Sequence, residues 1–303
     1  MASVNRAHWP ILVGVDGSRS ATDAVRWAAH EALRRRTGLR LVEAFGWMPI
    51  GGDDPGGAHI DPSYPSLLLR AARDRLADAA AVAGQIAPGT EVTTEVLADY
   101  PVSRLVTESQ SAQLVVVGAR GLAGITGMLI GSVAAGLAAH AACPTVVVRG
   151  AEPGGPIPMD GPVVVGVDGS PTSEAALAFA FDAAAARRAP LVALHTWRDT
   201  MIDPSLEPLI DWDLVELEEQ QLLAERLAGW GTKYPDVTVE RVVTKDRPAH
   251  SLQAHSVGAQ LMVVGSRGRG GLTGTILGSV SQALLHHAAC PVAIVRPDTR
   301  VDE

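Results

Sequence analysis

The chain has 303 residues, of which 25 are lysine or arginine and 33 are aspartate or glutamate, giving a formal net charge of −8. This acidic balance argues against a nucleic-acid partner or an anionic membrane partner, because both require basic surfaces. No apolar run approaches the roughly 18 uncharged residues of a membrane-spanning helix, so we expect no membrane insertion. The first residues lack a signal-like apolar core, and the 2 cysteines fit reduced thiols in the cytoplasm better than a disulfide.

Short apolar runs alternate with helical patterns through the first half of the chain and again through the second. Pro101 and Pro248 suit the first turn of a helix, and Ser132 stands where an N-cap would begin the following helix. The apolar runs, interpreted as strands, are Ile11–Val15, Leu39–Phe45, Glu91–Leu97, Leu114–Val117 and Thr145–Val148, then Val163–Val167, Leu191–Thr196, Val237–Val243, Leu261–Val264 and Val292–Val295. This order predicts an α/β fold with a mostly parallel sheet and helices on both faces in each half. The less regular stretches Met48–Pro65 and Arg198–Asp211 are interpreted as variable loops over a site.

Three motifs occur once in each half, which indicates a tandem duplication. The pattern G-x2-G-x9-G-S begins at Gly118 and again at Gly265, each time directly after an apolar run. Val-Asp-Gly-Ser ends the first run of each half, and Ala-Cys-Pro precedes the last run of each half. Each half has the size of an ordinary domain. We therefore expect two domains, residues 1–150 and 161–303, joined by a linker at about 150–161 that is dense in proline and glycine.

An aspartate follows the first predicted strand of each half, Asp16 in the first and Asp168 in the second. In a doubly wound sheet, ligands bind beyond the carboxyl ends of the strands, where the winding reverses. If the first and fourth strands are neighbours, Asp16 faces the loop at Gly118 and Asp168 faces the loop at Gly265. Such a carboxylate can accept hydrogen bonds from ribose hydroxyls or help to hold Mg²⁺. The alternative is ordinary Asx-turn or helix-cap chemistry, in which the aspartate binds only its own turn.

The two glycine loops have the features of phosphate-binding loops. Their glycines permit close approach of the backbone, and the helix after each Gly-Ser pair offers free amides and a dipole that favours an anion. A flexible connection that needs glycine only for tight turns is the alternative. The loops differ in their side chains, because Arg269 and Ser281 of the second half correspond to Leu122 and Ala134 of the first. We expect the second site to hold phosphate more firmly; the alternative for Arg269 is a solvated surface side chain.

Several nucleotide-binding and hydrolase patterns are missing from the sequence. It has no G-x4-G-K-[ST] of a P-loop NTPase, no G-x-G-x-x-G after the first strand, and no Ser-His-Asp or metal-hydrolase pattern. The loops contain no lysine and no obvious base that would orient water. Any turnover of a bound nucleotide should therefore be slow.

Together these motifs resemble the universal stress protein family, and its tandem members from mycobacteria and other actinobacteria in particular. The resemblance covers nearly the whole chain as two family domains. It implies two doubly wound α/β domains, each a five-stranded parallel sheet of order 3-2-1-4-5 flanked by helices, and an ATP site in each domain. The residues implied for nucleotide binding are Gly14, Asp16, Ala44, Gly118, Ala119, Arg120, Gly121, Leu122, Ala123, Gly124, Gly131, Ser132 and Val133 in the first domain, and Gly166, Asp168, Leu194, Asp199, Gly265, Ser266, Arg267, Gly268, Arg269, Gly270, Gly271, Gly278, Ser279 and Val280 in the second.

The resemblance further implies pairing of family domains through their last strands, here Thr145–Val148 and Val292–Val295. In a tandem chain this pairing can occur within the chain, between chains or both, and we expect a homodimer. Our main interpretation is a cytoplasmic, ATP-binding regulator of the stress response or of growth, whose acidic surface meets a regulatory protein partner. Two alternatives stay open. One is a slow ATP or nucleotide hydrolase on the same fold, and the other is an interaction scaffold that does not need nucleotide.

Overall fold

Two successive units make up the chain. The structure is a computed structural model that describes residues 9–46, 64–122, 130–152, 154–197, 211–269 and 277–297. The units are Met1–Val148 and Arg149–Glu303. Each unit alternates strands with helices, and its five strands form a parallel sheet.

The first unit contains strands β1–β5 and helices α1–α4. Their bounds are β1 Ile11–Gly14, α1 Arg19–Arg35, β2 Leu39–Phe45, α2 Tyr64–Ile86, β3 Val92–Ala98, α3 Pro101–Glu108, a 3-10 helix Ser109–Ser111, β4 Leu114–Gly118, α4 Ser132–His140 and β5 Thr145–Val148. The strand order is β3-β2-β1-β4-β5, and each neighbouring pair is parallel. Register pairs Gly14 with Val42 and Val13 with Val116, so the carboxyl ends of the central strands lie at one edge of the sheet.

The second unit repeats this arrangement with strands β6–β10 and helices α5–α9. Their bounds are β6 Val163–Gly166, α5 Pro171–Arg187, β7 Leu191–Thr196, α6 Trp212–Leu227, α7 Trp230–Lys233, β8 Val239–Thr244, α8 Pro248–His255, β9 Leu261–Gly265, α9 Ser279–His287 and β10 Val292–Val295. The order is β8-β7-β6-β9-β10, again parallel throughout. The predicted α/β fold with strand order 3-2-1-4-5 in each half is therefore confirmed.

The strands read as continuous apolar runs because helices cover both faces of a doubly wound sheet. Ile11, Leu12 and Val13 of β1 are completely buried, and so are Val163 and Val165 of β6. Alternation of polar and apolar residues, typical of a half-exposed strand, is absent from these central strands. Burial on both faces fixes the sheet, and the sheet in turn fixes where the loops at its carboxyl edge lie.

The helix starts follow the sequence with one correction. α3 and α8 begin at Pro101 and Pro248, as predicted. α4, however, begins at Ser132 itself, so the prediction that Ser132 is the N-cap is wrong by one residue. The cap is Gly131, which is held outside the helix by an extended backbone (φ −78°, ψ 154°) and by a hydrogen bond from its N–H to the Ala119 carbonyl at 2.7 Å.

Both cysteines lie just before the last strand of their unit. Both side chains are buried. Burial raises the pKa of the Cys290 thiol to about 12. None of the helices in the described residues combines the length and the apolar character needed to cross a membrane.

Candidate functional site

Each candidate site lies at the carboxyl edge of its sheet, between the two strands where the strand order reverses. Four chain segments meet there: the end of the first strand, the first turn of the following helix, the glycine loop, and the start of the helix after that loop. We call this arrangement the strand-end junction. Its residues are 14–20, 118–122 and 131–133 in the first unit, and 166–172, 265–269 and 278–280 in the second.

Asp16 links two segments of the first junction. One carboxylate oxygen, Oδ1, accepts the Ser18 N–H at 2.9 Å, which forms an Asx turn at the start of α1. The other oxygen, Oδ2, accepts the Leu122 N–H at 2.9 Å. The structure thus contains the Asx turn and also a carboxylate that faces the glycine loop, and Asp16 ties that loop to the end of β1.

Asp168 makes the same link in the second unit, with more hydrogen bonds. Oδ1 accepts the N–H of Ser170 at 2.9 Å and its hydroxyl at 2.6 Å, while Oδ2 accepts the Arg269 N–H at 3.0 Å. Burial raises the pKa of this carboxyl, but the hydrogen bonds from Ser170, Arg269 and Ser173 together outweigh burial and hold the pKa below its ordinary value. Asp168 is therefore a carboxylate with a structural role in the folded domain.

Close approach of these carboxylates explains one glycine in each loop. A Cβ atom at Gly121 would lie 2.6 Å from Asp16 Oδ2, and a Cβ atom at Gly268 would lie 2.5 Å from Asp168 Oδ2. Both distances are far shorter than van der Waals contact, so a side chain at either glycine would push the loop away from the aspartate that binds it. The simpler interpretation, that the loop needs glycine for packing, is sufficient for these two positions.

The loop is also tied to the start of the next helix through its backbone. In the first unit the buried Ala119 donates its N–H to the Val148 carbonyl at 3.1 Å and accepts the Gly131 N–H at 2.7 Å. Ser266 and Gly278 repeat both bonds in the second unit. Gly131 and Gly278 are thus fixed beside the first loop residues.

The helices that follow the loops begin without a side-chain cap. Gly131 and Gly278 are the caps of α4 and α9 and have no side chain to bind the first amides. By contrast, α1 and α5 are capped by Ser18 and Ser170, whose hydroxyls accept amides of the first turn. The first amides of an α-helix have no partner inside the helix, so they are available to an anion. The leading residues that carry these amides are Ser132, Val133, Ser279 and Val280.

Hydroxyl groups on the first helix of each unit complete the junction, and our sequence interpretation missed them. Ser18 Oγ donates to the Arg120 carbonyl at 3.4 Å, and Ser20 Oγ accepts the Arg120 N–H at 3.3 Å. In the second unit the Thr172 hydroxyl donates to the Arg267 carbonyl. A hydroxyl residue two positions after Val-Asp-Gly-Ser in both halves was the available signal.

The side chains that distinguish the two loops do not all face the same way. Leu122 is 67% exposed, whereas the guanidinium group of Arg269 lies beside Gly169. The Ser281 hydroxyl is buried and donates to the Gly265 carbonyl at 2.7 Å. Ser281 was one of two reasons to expect firmer phosphate binding in the second unit, and this reason is wrong because the hydroxyl is used inside the fold.

Two residues named for the nucleotide pocket are not equivalent positions. Register places Val42 beside Gly14, whereas Leu194 lies beside Gly166. Ala44 is therefore two residues further along its strand than the counterpart of Leu194. Leu194 as a whole is also only 1% exposed, so its side chain lies in the core and does not line the edge of the sheet.

Some predicted site residues lie outside the described residues, as do most of the two stretches interpreted as variable loops. These residues are Ala123, Gly124, Asp199, Gly270 and Gly271. Over the described ranges, no cluster of three or more histidine, cysteine, aspartate or glutamate side chains is arranged to hold a metal ion. At its own site, each of Asp16 and Asp168 could hold Mg²⁺ only with further ligands from a bound phosphate and from water.

The fold and the repeated junction define a tandem, doubly wound α/β protein. A universal stress protein from Mycobacterium tuberculosis is 43% identical over 291 residues, which cover 94% of this chain and 96% of the relative. Another from Mycolicibacterium smegmatis is 40% identical over 296 residues, covering 95% and 97%. Among solved structures, a universal stress protein from Archaeoglobus fulgidus has the same fold, with a TM-score of 0.70 at 17% identity over 96% of this chain and 98% of that chain.

The Universal stress protein family model matches residues 10–149 and again residues 159–296. The protein therefore belongs to the universal stress protein family and has two family domains in tandem. The predicted resemblance to tandem mycobacterial members is confirmed.

Proposed function

We propose that each domain binds ATP at its strand-end junction, and that ATP occupancy makes the protein a regulator of the stress response or of growth. The main support comes from Gly131. Its φ of −78° is open to any residue, and a Cβ atom there would meet no described atom closer than 3.6 Å. Neither backbone conformation nor packing requires glycine at this position, so space for a ligand is the better explanation.

The chain's own groups suit an anionic tail. The amides at 132–133 and 279–280 point out of uncapped helix starts, and the tethered loops at 118–122 and 265–269 lie beside them. Backbone amides and the helix dipole stabilise phosphate without a lysine. The ribose and adenine would then lie towards Gly14 and Gly166, at the ends of the first strands.

Asp16 and Asp168 have a second role in this proposal. Each carboxylate oxygen has two lone pairs, and the hydrogen bonds to the loop and turn leave some of them free. A ribose hydroxyl can donate to such an oxygen. Bound Mg²⁺ would neutralise phosphate charge, and it needs few protein ligands when phosphate and water supply the rest.

The regulatory part of the proposal draws on the family and on charge. The relatives carry the name universal stress protein, and a net charge of −8 suits a protein partner better than a nucleic acid. We place the protein in the cytoplasm as a homodimer that pairs through β5 and β10, which is the pairing that the family resemblance implies. We expect hydrolysis to be slow or absent.

The first experiment identifies small molecules released when freshly purified protein is denatured, with their molar ratio to chain, and then measures ATP binding by calorimetry. We expect ATP in the released fraction and saturable binding by the emptied protein. Protein that neither carries ATP nor binds it at millimolar concentration would rule the proposal out. Monitoring ADP in the same samples measures any turnover.

A matched set of glycine variants tests the site itself. Gly131→Val together with Gly278→Val should abolish ATP binding, because the added methyl groups fill the space beside the free amides. A Cβ atom at Gly278 would also lie 3.3 Å from the Arg267 Cα atom, so the circular dichroism spectrum of each single variant is compared with that of the parent. The control is Gly84→Ala in α2, where a Cβ atom meets nothing within 4 Å. Unchanged ATP binding by the valine variants would show that the junction is not the site.

A further inference from the structure

Two guanidinium groups converge at the second junction. The position of a Cβ atom on Gly169 is 2.6 Å from Arg269 Nη2 and 2.9 Å from Arg226 Nη2. Arg269 belongs to the glycine loop and Arg226 to α6, which is the second helix of the unit. Gly169 lies in the turn that starts α5, so both cations lie beside that turn.

The first junction has the same helical arginine but not the same charge. Arg75 of α2 lies over Gly17, as Arg226 lies over Gly169. The Arg75 guanidinium, however, binds the buried Glu43, with Nε 3.1 Å from each carboxylate oxygen. Hydrogen bonding and charge attraction to Glu43 raise the pKa of Arg75. The charge of Arg75 is therefore neutralised by Glu43 on the strand against which α2 packs. Leu122 occupies the loop position at which the second unit has Arg269.

Strand β7 explains why Arg226 is not neutralised in the same way. Register places His195 at the position that Glu43 occupies in β2. The His195 ring is engaged elsewhere, with Nδ1 2.7 Å from the Val167 carbonyl oxygen and Nε2 2.8 Å from Glu219. His195 thus stands where the first unit has a buried carboxylate, so β7 offers no acidic partner to Arg226.

Arg226 has one ion pair among the described residues. Its Nη1 lies 3.2 Å from Glu174, and both side chains are more than a third exposed. Such a pair holds an arginine weakly, because water screens it. Nη2 faces the junction, and no carboxylate in the described ranges forms an ion pair with the Arg269 guanidinium.

We propose that Arg226 and Arg269 form a clamp for the end of a polyphosphate tail, so that the second site selects nucleoside triphosphates over monophosphates while the first site does not. This inference rests on the proposed nucleotide binding. Two cations brought together without a ligand repel each other, and an anion between them removes that repulsion. Charge-assisted hydrogen bonds from planar guanidinium groups suit phosphate oxygens.

The test uses the full chain with Gly131→Val, which closes the first site, so that calorimetry with ATP and with AMP reports on the second. Arg226→Gln and Arg269→Leu are the variants; the second copies the residue of the first loop. Each should weaken ATP binding by about tenfold or more and change AMP binding by less than about twofold. Arg241→Gln on the exposed face of β8 is the control for the lost charge and should change neither.

Thermal unfolding separates a clamp from a purely structural role. Without ligand, Arg226→Gln should unfold at the same temperature as the parent or slightly higher, because repulsion has been removed. With ATP, its stabilisation should be smaller than that of the parent. Equal losses for ATP and AMP, or no loss for either, would overturn the clamp and leave nucleotide binding intact. A parent chain that binds neither nucleotide would overturn the proposed function itself.

Discussion

The buried ion pair of the first unit allows a quantitative test of how this fold holds charge. Glu43 on β2 is 5% exposed, and its carboxylate contacts Arg75 through Nε and Nη2. Removing one partner of a buried pair typically costs about 3–5 kcal/mol, because the other charge stays buried without compensation. The Arg75 side chain is 34% exposed, so water can partly solvate the site. We therefore expect Arg75→Met to cost about 2–3 kcal/mol.

Calorimetry measures this cost directly. For a unit of this size, about 2–3 kcal/mol corresponds to a fall of roughly 5–10 °C in the unfolding midpoint. The double variant Glu43→Met with Arg75→Met replaces the pair with apolar side chains of similar volume, and we expect it to lie within about 1 kcal/mol of the parent. Arg26→Gln, which removes the exposed pair with Asp23, is the control and should cost less than about 1 kcal/mol.

Comparing the stabilities of Arg75→Met and of the double variant shows whether the orphaned charge sets the cost. An uncompensated carboxylate predicts that the second substitution restores most of the lost stability. A double variant as unstable as Arg75→Met would show that lost packing, and not the orphaned charge, sets the cost.

Further predictions concern one titrating group, one thiol and one buried hydroxyl. Because the folded pKa of Asp168 is below its ordinary value, its contribution to stability is present above about pH 4 and is lost as pH falls through the folded pKa. Asp168→Asn should therefore reduce the loss of stability against urea between pH 5 and pH 2. An unchanged loss would contradict this role. Burial raises the pKa of Cys290 to about 12, so it should resist iodoacetamide at pH 8 until the protein unfolds, and native-state labelling seen by mass spectrometry would contradict this. Ser281→Ala should lower the free energy of unfolding in urea by about 1–2 kcal/mol, because the Gly265 carbonyl loses its hydrogen-bond donor. The ATP affinity should stay unchanged, and a weaker affinity would show that the hydroxyl contributes to the ligand site.

Much of the fold could be predicted because strands and helix starts leave local patterns of apolar residues and prolines in the sequence. Continuous apolar runs such as Val163–Val167 are typical of strands buried on both faces, and Pro101 and Pro248 mark helix starts. Residues 118–132 and their repeat, together with the repeated Val-Asp-Gly-Ser and Ala-Cys-Pro motifs, supplied the family resemblance. The sheet order then followed from the resemblance.

The roles of individual glycines could not be separated from the sequence. Gly121 and Gly131 look alike in the pattern, yet a Cβ atom at Gly121 would collide with Asp16, while one at Gly131 would make only ordinary van der Waals contacts. Ser281 and Ala134 suggested a difference in phosphate binding, but the direction of a hydroxyl depends on tertiary neighbours. The N-cap assignment of Ser132 failed for a similar reason, since a hydrogen bond to the loop fixed where the helix begins.

The two arginines that face the junctions from the second helices were also outside the reach of sequence patterns. Arg75 and Arg226 lie within helices with many charges, where an arginine usually means a solvated face. Their partners, Glu43 and Glu174, are distant in the chain. Only the packing of helix against sheet shows that Arg75 pairs with a buried carboxylate and Arg226 with an exposed one.

Asp168 has a mechanical consequence for the second domain. One of its oxygens fixes the turn that starts α5, and the other holds the loop amide of Arg269. The carboxylate therefore links the loop to a helix of 17 residues, about 25 Å long, whose last residue is Arg187. That far end lies next to the beginning of β7, on the opposite rim of the sheet. A single carboxylate therefore connects, through one helix, the loop at the carboxyl edge of the sheet to the opposite edge.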